Sequence, residues 1–327
     1  MLAAPREIVI ITHKNPDADA MGSSLGLYNF LFKKSHLVTV ITPTSYPKEL
    51  HWMPGNDKVI DFKAEPKRAE EKIKTAEIIF FLDLNALSRI DGLAELTKNS
   101  SSVKVLLDHH LDPENIAKYV WSDTTACSTA QIIYESIEAF GEINLIDKNI
   151  ANCLYAGIMT DTGSFRFNST TAKTHRIVAA LIDHGAENAK VHQLLFDNSS
   201  VDRLRLLGYC LNEKMQVMKE FNTAFISLSD QEKEKFNHQN GDTEGVVNYA
   251  LGIAGINFAA FFSENKGEIR ISFRSKGDFP ANLFSKKYFS GGGHKNAAGG
   301  ISYLSLSETV EKFKKLLPEY KDELFKG

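Results

Sequence analysis

The sequence is short of several things, and each shortage narrows the field. It has three cysteines, Cys127, Cys153 and Cys210, and none forms a Cys-x-x-Cys pair. So sparse and odd a set excludes a disulfide framework or a zinc ribbon and reads as reduced thiols packed in a core. No stretch reaches the roughly 18–20 apolar residues of a membrane span. The opening MLAAPREIVIITH has no charged segment followed by a long apolar core. A secretory signal is therefore not expected, and a cytoplasmic chain is. An excess of positive charge is also missing: 38 Lys and Arg stand against 41 Asp and Glu, for a formal net charge of −3. That excludes a polybasic coat, so any contact with a polyanion must be local and aimed. Internal repeats and low-complexity tracts are absent as well.

What is present is an alternation of strand and helix. The 327 residues predict two domains, and 43% hydrophobic with 24% charged residues is ordinary for a globular chain. The β-branched run at 7–12 reads as a buried strand, as do 37–42, 78–83 and 103–108, with a shorter strand near 119–121. Between and after them fall helices: 20–34, capped by Asn15 or Asp19, then 66–76, Ser128 to about Phe140, a buried one ending near Asp161, 172–184 and 188–196. This order argues for a mostly parallel sheet flanked by helices. Residues 200–220 read as an amphipathic connecting helix. From 223 the texture changes to alternating runs, TAFISLS, INFAAFFSE and EIRISFRS, which read as antiparallel strands. A glycine-rich segment and a helix at about 307–317 close the chain.

The charged residues are placed unevenly. The first strand runs into His13, with Asp17 and Asp19 in the next turn. The third ends at Asp83, and the fourth at Asp108, followed by His109 and His110. In open α/β sheets these carboxyl ends line the ligand crevice. Asp161 lies where a buried helix gives way to the polar turn TDTGSF. Carboxylates gathered this closely would raise one another's pKa, and a multivalent cation relieves that. Two metals roughly 3.5–4 Å apart, sharing a carboxylate, would use so many ligands and suit in-line attack on phosphorus. Asp123 and Asp183 read as caps or turn residues, and His36, His51, His175, His184, His192 and His238 as surface or packing histidines. A second anion site is suggested by Arg274 on an alternating strand and by Gly291, Gly292, Gly293 and His294, where a bare backbone can approach a ligand.

Taken together, His13 to Ser23, the Asp83 strand end, Asp108-His109-His110 and Asp161-Thr-Gly-Ser-Phe resemble the four motifs of the DHH phosphoesterases. Arg274-Ser275 with the GGGH segment resembles the DHHA1 domain, though Ser290 stands where that pattern carries another glycine. The resemblance runs along nearly the whole chain and points to the NrnA-like oligoribonucleases, which also dephosphorylate 3′-phosphoadenosine 5′-phosphate (pAp). It implies a DHH catalytic domain over 1–187, a helical linker over 188–221 and a smaller mixed-sheet α/β DHHA1 domain over 222–327. It implies two divalent ions, Mn²⁺ foremost and Mg²⁺ or another as substitute. His13 and Asp17 would hold the first, Asp19, His109 and Asp161 the second, and Asp83 would bridge them. His110 would face the substrate phosphate, and Asp108 would orient a histidine tautomer. Arg274, Ser275 and His294 would meet a substrate phosphate, with the backbone of Gly291, Gly292 and Gly293 as an anion nest. Arg89 is a further candidate substrate contact.

The resemblance makes short single-stranded RNA or DNA oligonucleotides, or nucleotides such as pAp, the expected partners, held across a cleft between domains. No membrane partner is expected, and a homodimer is left open. Three other readings stay open: a cyclic-di-AMP or pApA phosphodiesterase, an inorganic pyrophosphatase or polyphosphatase, and a non-catalytic nucleotide sensor.

Overall fold

Short runs rich in Ile, Val, Leu and Phe build an all-parallel sheet in the first of two units, which divide between residues 198 and 199. The structure, a computed structural model, describes residues 2–197, 199–239 and 241–326. In chain order the first unit runs β1 (Glu7–Ile11), α1 (Ala18–Lys33), β2 (Leu37–Thr42), β3 (Ile60–Asp61), α2 (Pro66–Thr75), β4 (Ile78–Leu82), α3 (Leu93–Lys98), β5 (Val103–Asp108) and β6 (Tyr119–Ser122). It continues with α4 (Thr129–Ala139), α5 (Lys148–Asp161), α6 (Ala172–Asp183) and α7 (Asn188–Phe196). Both faces of the central strands are buried, which is why β1 and β4 read as unbroken apolar runs. Ile8, Ile10, Ile78 and Phe80 pack with α1, α4 and α5 on one side. Val9, Ile11, Ile79 and Phe81 pack with α2 and α3 on the other.

The strand order is β3-β2-β1-β4-β5-β6, so the winding reverses between β1 and β4. The crevice at that switch point is where ligands bind in open parallel sheets. Register makes it chemical. Ile11 pairs with Phe81 and Leu82 with Leu107. His13, Asp83 and Asp108 therefore emerge nearly level at one sheet edge.

Two glycines let α1 and α5 approach closely over that edge. A methyl at Gly22 would fall 2.4 Å from the Cys153 carbonyl oxygen. One at Gly157 would fall 2.7 Å from Asp19 Oδ1 and from Ala130 Cβ. The cap of α1 is Asp17, not Asn15 or Asp19: its Oδ1 accepts from the Asp19 and Ala20 amides, both at 3.0 Å. Asp17 has the extended backbone of an N-cap, whereas Asn15 is left-handed, with φ 51°.

The second unit contains α8 (Val201–Tyr209), β7 (Met215–Met218), β8 (Thr223–Leu228), α9 (Asp230–Glu234), α10 (Val246–Leu251), β9 (Phe258–Asn265), β10 (Glu268–Ser275), α11 (Ala281–Tyr288), β11 (Gly292–His294), β12 (Ala297–Ser302), α12 (Leu306–Leu316) and α13 (Lys321–Phe325). Its sheet is mixed, ordered β11-β12-β10-β9-β8-β7. Two expectations are corrected here. The 200–220 segment is not one helix: α8 ends at Tyr209 and, after one π-helical turn, β7 pairs with β8. Sheet pairing overrides a helical pattern too short to stand alone. The strands are also not all antiparallel. The connection carrying α9 and α10 is long enough to return the chain in the same direction, so β8 and β9 are parallel. A tight Lys266-Gly267 turn, both residues with positive φ, makes β9 and β10 antiparallel. Val191 and Leu195 of α7 bury in the first unit's core and Leu206 of α8 in the second's. Among the described residues no helix is long and apolar enough to cross a membrane.

The helix contact sets a prediction. Gly22→Ala should lower stability by about 1–3 kcal/mol through overpacking. Gly208→Ala, in α8 with nothing within 4 Å of the added methyl, should be neutral or stabilising. Denaturant unfolding of the two variants checks the contrast.

Candidate active site

The edge built by β1, β4 and β5 collects a buried acidic cluster. Asp83 is its centre. It follows β4 with φ 60°, a left-handed conformation that aims its side chain across the switch point. Its Oδ2 lies 3.3 Å from His13 Nε2, and its Oδ1 3.5 Å from His109 Nε2 and 3.6 Å from His110 Nδ1. Thr129 at the start of α4 donates its hydroxyl to Oδ1 at 3.0 Å. Burial by itself would raise the Asp83 pKa, but His109 and His13 outweigh it and hold the carboxyl well below the usual range.

His13 is oriented by its own backbone. Its Nδ1 lies 2.8 Å from the Lys14 carbonyl, which can only accept, so Nδ1 carries a proton. Its Nε2 is buried with no hydrogen-bond partner and faces Asp83, with Asp17 Oδ2 at 3.9 Å. Two lone-pair atoms facing each other in a dry pocket require a proton or a cation between them. Burial lowers the His13 pKa, but the carboxylates of Asp83 and Asp17 more than offset this and raise it.

On the other side of Asp83 lie Asp19, His109 and Asp161. Asp19 is 2% exposed and takes the first amides of α4 on its two oxygens, Thr129 at 2.7 Å and Ala130 at 3.0 Å. The helix N-terminus compensates its charge only in part. Burial, with the charges of Asp83 and Asp161, still pushes its pKa well up. Asp161, at the end of α5, has Oδ2 3.5 Å from His109 Nε2. Burial raises its carboxyl to about 7. Burial opposes the charged form of His109, yet Asp83 and then Asp161 and Asp19 raise its pKa to about 10. The donor atoms of His13, Asp17 and Asp83 lie within 4.8 Å of one another, as do those of Asp19, His109 and Asp161. Mixed carboxylate and imidazole donors at this spacing fit a divalent cation.

Asp108 and His110 form a separate pair beside these. His110 Nδ1 is 2.7 Å from Asp108 Oδ1, and its Nε2 is 3.0 Å from Arg89 Nη1. A guanidinium only donates, so Nε2 accepts and Nδ1 donates to Asp108. The chain is Arg89 to His110 to Asp108, with the ring neutral. This brings Arg89, from the single turn Leu87–Ile90, to the site. Asp108 is fully buried, and its Oδ2 has no hydrogen-bond partner.

The second unit carries the other candidates. Arg274, next to last in β10, donates Nη1 to the Phe273 carbonyl at 2.9 Å. Ser275 is buried, donates to the Phe279 carbonyl at 2.7 Å and accepts from Asn296 at 2.9 Å. The glycine run is not a loop: Gly292, Gly293 and His294 form the edge strand β11, paired with β12. Ser290 keeps a glycine-like φ of 49°. A methyl would collide at Gly291 and Gly293 but meets nothing within 4 Å at Gly292.

Sequence reasoning missed Thr129 and Gly157. Thr129 holds Asp83 and Asp19 together, and Gly157 makes room for the Asp19 carboxylate. The only trace of Thr129 was the Ser128 cap of α4, which marks an amide-rich helix start.

Residues 7–158 match the DHH family N-terminal domain, and residues 221–323 the DHHA1 domain. The structure is similar to that of an exopolyphosphatase-related protein from Bacteroides fragilis, with 39% identity and a TM-score of 0.95 over 99% of this chain and 95% of that one. Relatives in Bacillus subtilis include the bifunctional oligoribonuclease and PAP phosphatase NrnA, 27% identical over 90% of this chain and 89% of its own. They also include the cyclic-di-AMP phosphodiesterase GdpP, 26% identical over 96% of this chain but 48% of its own length. Both domains are thus matched in their order: the chain belongs to the DHH–DHHA1 family of phosphoesterases.

Proposed function

We propose that this chain is a two-metal phosphohydrolase that cuts short oligonucleotides to nucleoside 5′-monophosphates and removes the 3′-phosphate of pAp. The observation that carries the metal half is Asp83, one buried carboxylate whose two oxygens face two different donor sets. His13, Asp17 and Asp83 would hold one divalent cation, and Asp83, Asp19, His109 and Asp161 a second. The imidazole content favours Mn²⁺, with Mg²⁺ as a substitute. When bound, such ions supply Lewis acidity and positive charge against a phosphoryl group.

The chain's own groups do the rest. Arg89 keeps guanidinium hydrogens beyond the one given to His110 and offers them to a phosphate oxygen. Asp108 fixes the His110 tautomer through Nδ1, and Nε2 accepts from Arg89, so the ring holds the guanidinium in place to face a substrate phosphate. In the DHHA1 unit, Arg274 and His294 would grip a substrate phosphate, and the bare Gly292 would give the ligand access to the backbone there. The substrate class is supported by the presence of a DHHA1 domain and by the relative named for oligoribonuclease and PAP phosphatase activity.

Purified protein with Mn²⁺, offered a short oligoribonucleotide, pAp, pApA, cyclic di-AMP and pyrophosphate, should turn over the oligoribonucleotide and pAp fastest. Turnover of pyrophosphate alone would contradict the reading. Asp83→Ala and His109→Ala should abolish hydrolysis of a dinucleotide, while Arg274→Ala chiefly raises KM.

Metal removal gives a second check. In EDTA at pH 7, Asp161→Asn should melt no lower than the parent, because burial already disfavours the charge it removes. Excess Mn²⁺ should stabilise the parent, by about 2.7 kcal/mol at a hundredfold excess over Kd for one site, and the variant by less. Thermal melts with and without the ion decide this.

A further inference from the structure

Just past Asp161 the backbone enters the left-handed region three times in succession, at Gly163 (φ 57°), Ser164 (φ 59°) and Phe165 (φ 67°). Serine and phenylalanine adopt this conformation only under constraint. Thr162 supplies it. Its hydroxyl accepts from the Phe165 amide at 3.0 Å, and its carbonyl from the Arg166 and Phe167 amides, both at 3.1 Å. The Phe165 ring is braced between Tyr155 and His175, with centroids 6.1 and 5.7 Å away.

The outcome is a reversal that lays the Phe167 ring on Gly163. A methyl at Gly163 would sit 2.5 Å from Phe167 Cζ and 2.7 and 2.8 Å from its two Cε atoms. One face of the ring therefore covers a bare backbone. The Arg166 guanidinium carbon lies over the ring, 5.6 Å from its centroid, and Phe167 is 43% exposed. A phenyl ring seated on glycine, on a partly exposed residue with a guanidinium over it, is a platform on which another flat ring can stack. It stands six residues from a member of the acidic cluster.

We infer that Phe167, with Arg166 beside it, stacks on a nucleobase of the substrate. This makes Phe167 a specificity-determining residue that favours nucleotides over bare phosphates. The inference rests on the proposed nucleotide-hydrolase reading. Aromatic stacking tolerates every base, which suits a site that takes short oligonucleotides regardless of sequence.

The test compares AMP with ribose 5-phosphate, which lacks the base, by calorimetric titration of the Mn²⁺-loaded protein. The parent should bind AMP about five- to 150-fold more tightly. Phe167→Ala should remove that gap and leave ribose 5-phosphate unchanged. Phe167→Leu, which fills the space over Gly163 without a ring, should remove most of it, and Phe167→Tyr should keep it. The inference is overturned if the parent shows no gap, if the gap survives in both ringless variants, or if they weaken both ligands alike. A parent that keeps the gap but hydrolyses neither dinucleotide nor pAp defeats the functional reading alone. Hydrolysis of both with no gap defeats the stacking platform alone.

Discussion

Repulsion among carboxylates held out of water is the constraint on which the rest of this structure turns. Asp19, Asp83 and Asp161 meet around His109, and Asp108 stands beside them. Left alone, such a cluster would protonate or push apart. Each neighbouring element acts to hold it together. The strand register brings His13, Asp83 and Asp108 out level. The start of α4 presents two amides and a hydroxyl to Asp19 and Asp83. Gly157 removes the one side-chain atom that would displace Asp19. The fold thus maintains a charge density that bound cations would make favourable.

Much of this was readable in the sequence because the relevant signals are local. β1, β4 and β5 are apolar runs with a sharp polar end, so both the strands and the residues at their tips could be placed. The parts that escaped are set by contacts between distant segments. Nothing near Gly22 or Gly157 reveals that two helices more than a hundred residues apart in sequence touch there. Thr129 gains its role only because α4 starts beneath Asp83. The strand β7 looked helical until β8 offered it a partner, and nothing in the GGGH run marks an edge strand, because its partner, β12, is itself rich in glycine and alanine.

The net charge of −3 argued against a long polyanionic ligand bound along a basic stripe. It does not argue against a small one bound at a point. Two cationic groups are placed by their neighbours: Arg89 is fixed by His110 beside the cluster, and Arg166, five residues past Asp161, lies over the Phe167 ring. The proposed site, with metal ligands, one or two guanidinium groups and a flat apolar surface, would suit a short nucleotide and offer little to the middle of a polymer.

The central claim is that Asp83 joins two cation sites. The most direct measurement is an anomalous-scattering crystal structure of the protein soaked with Mn²⁺. Two peaks are expected, one beside His13 and Asp17 and one beside Asp19, His109 and Asp161, with a different Asp83 oxygen against each. A single peak, or two peaks that Asp83 does not touch, would contradict it.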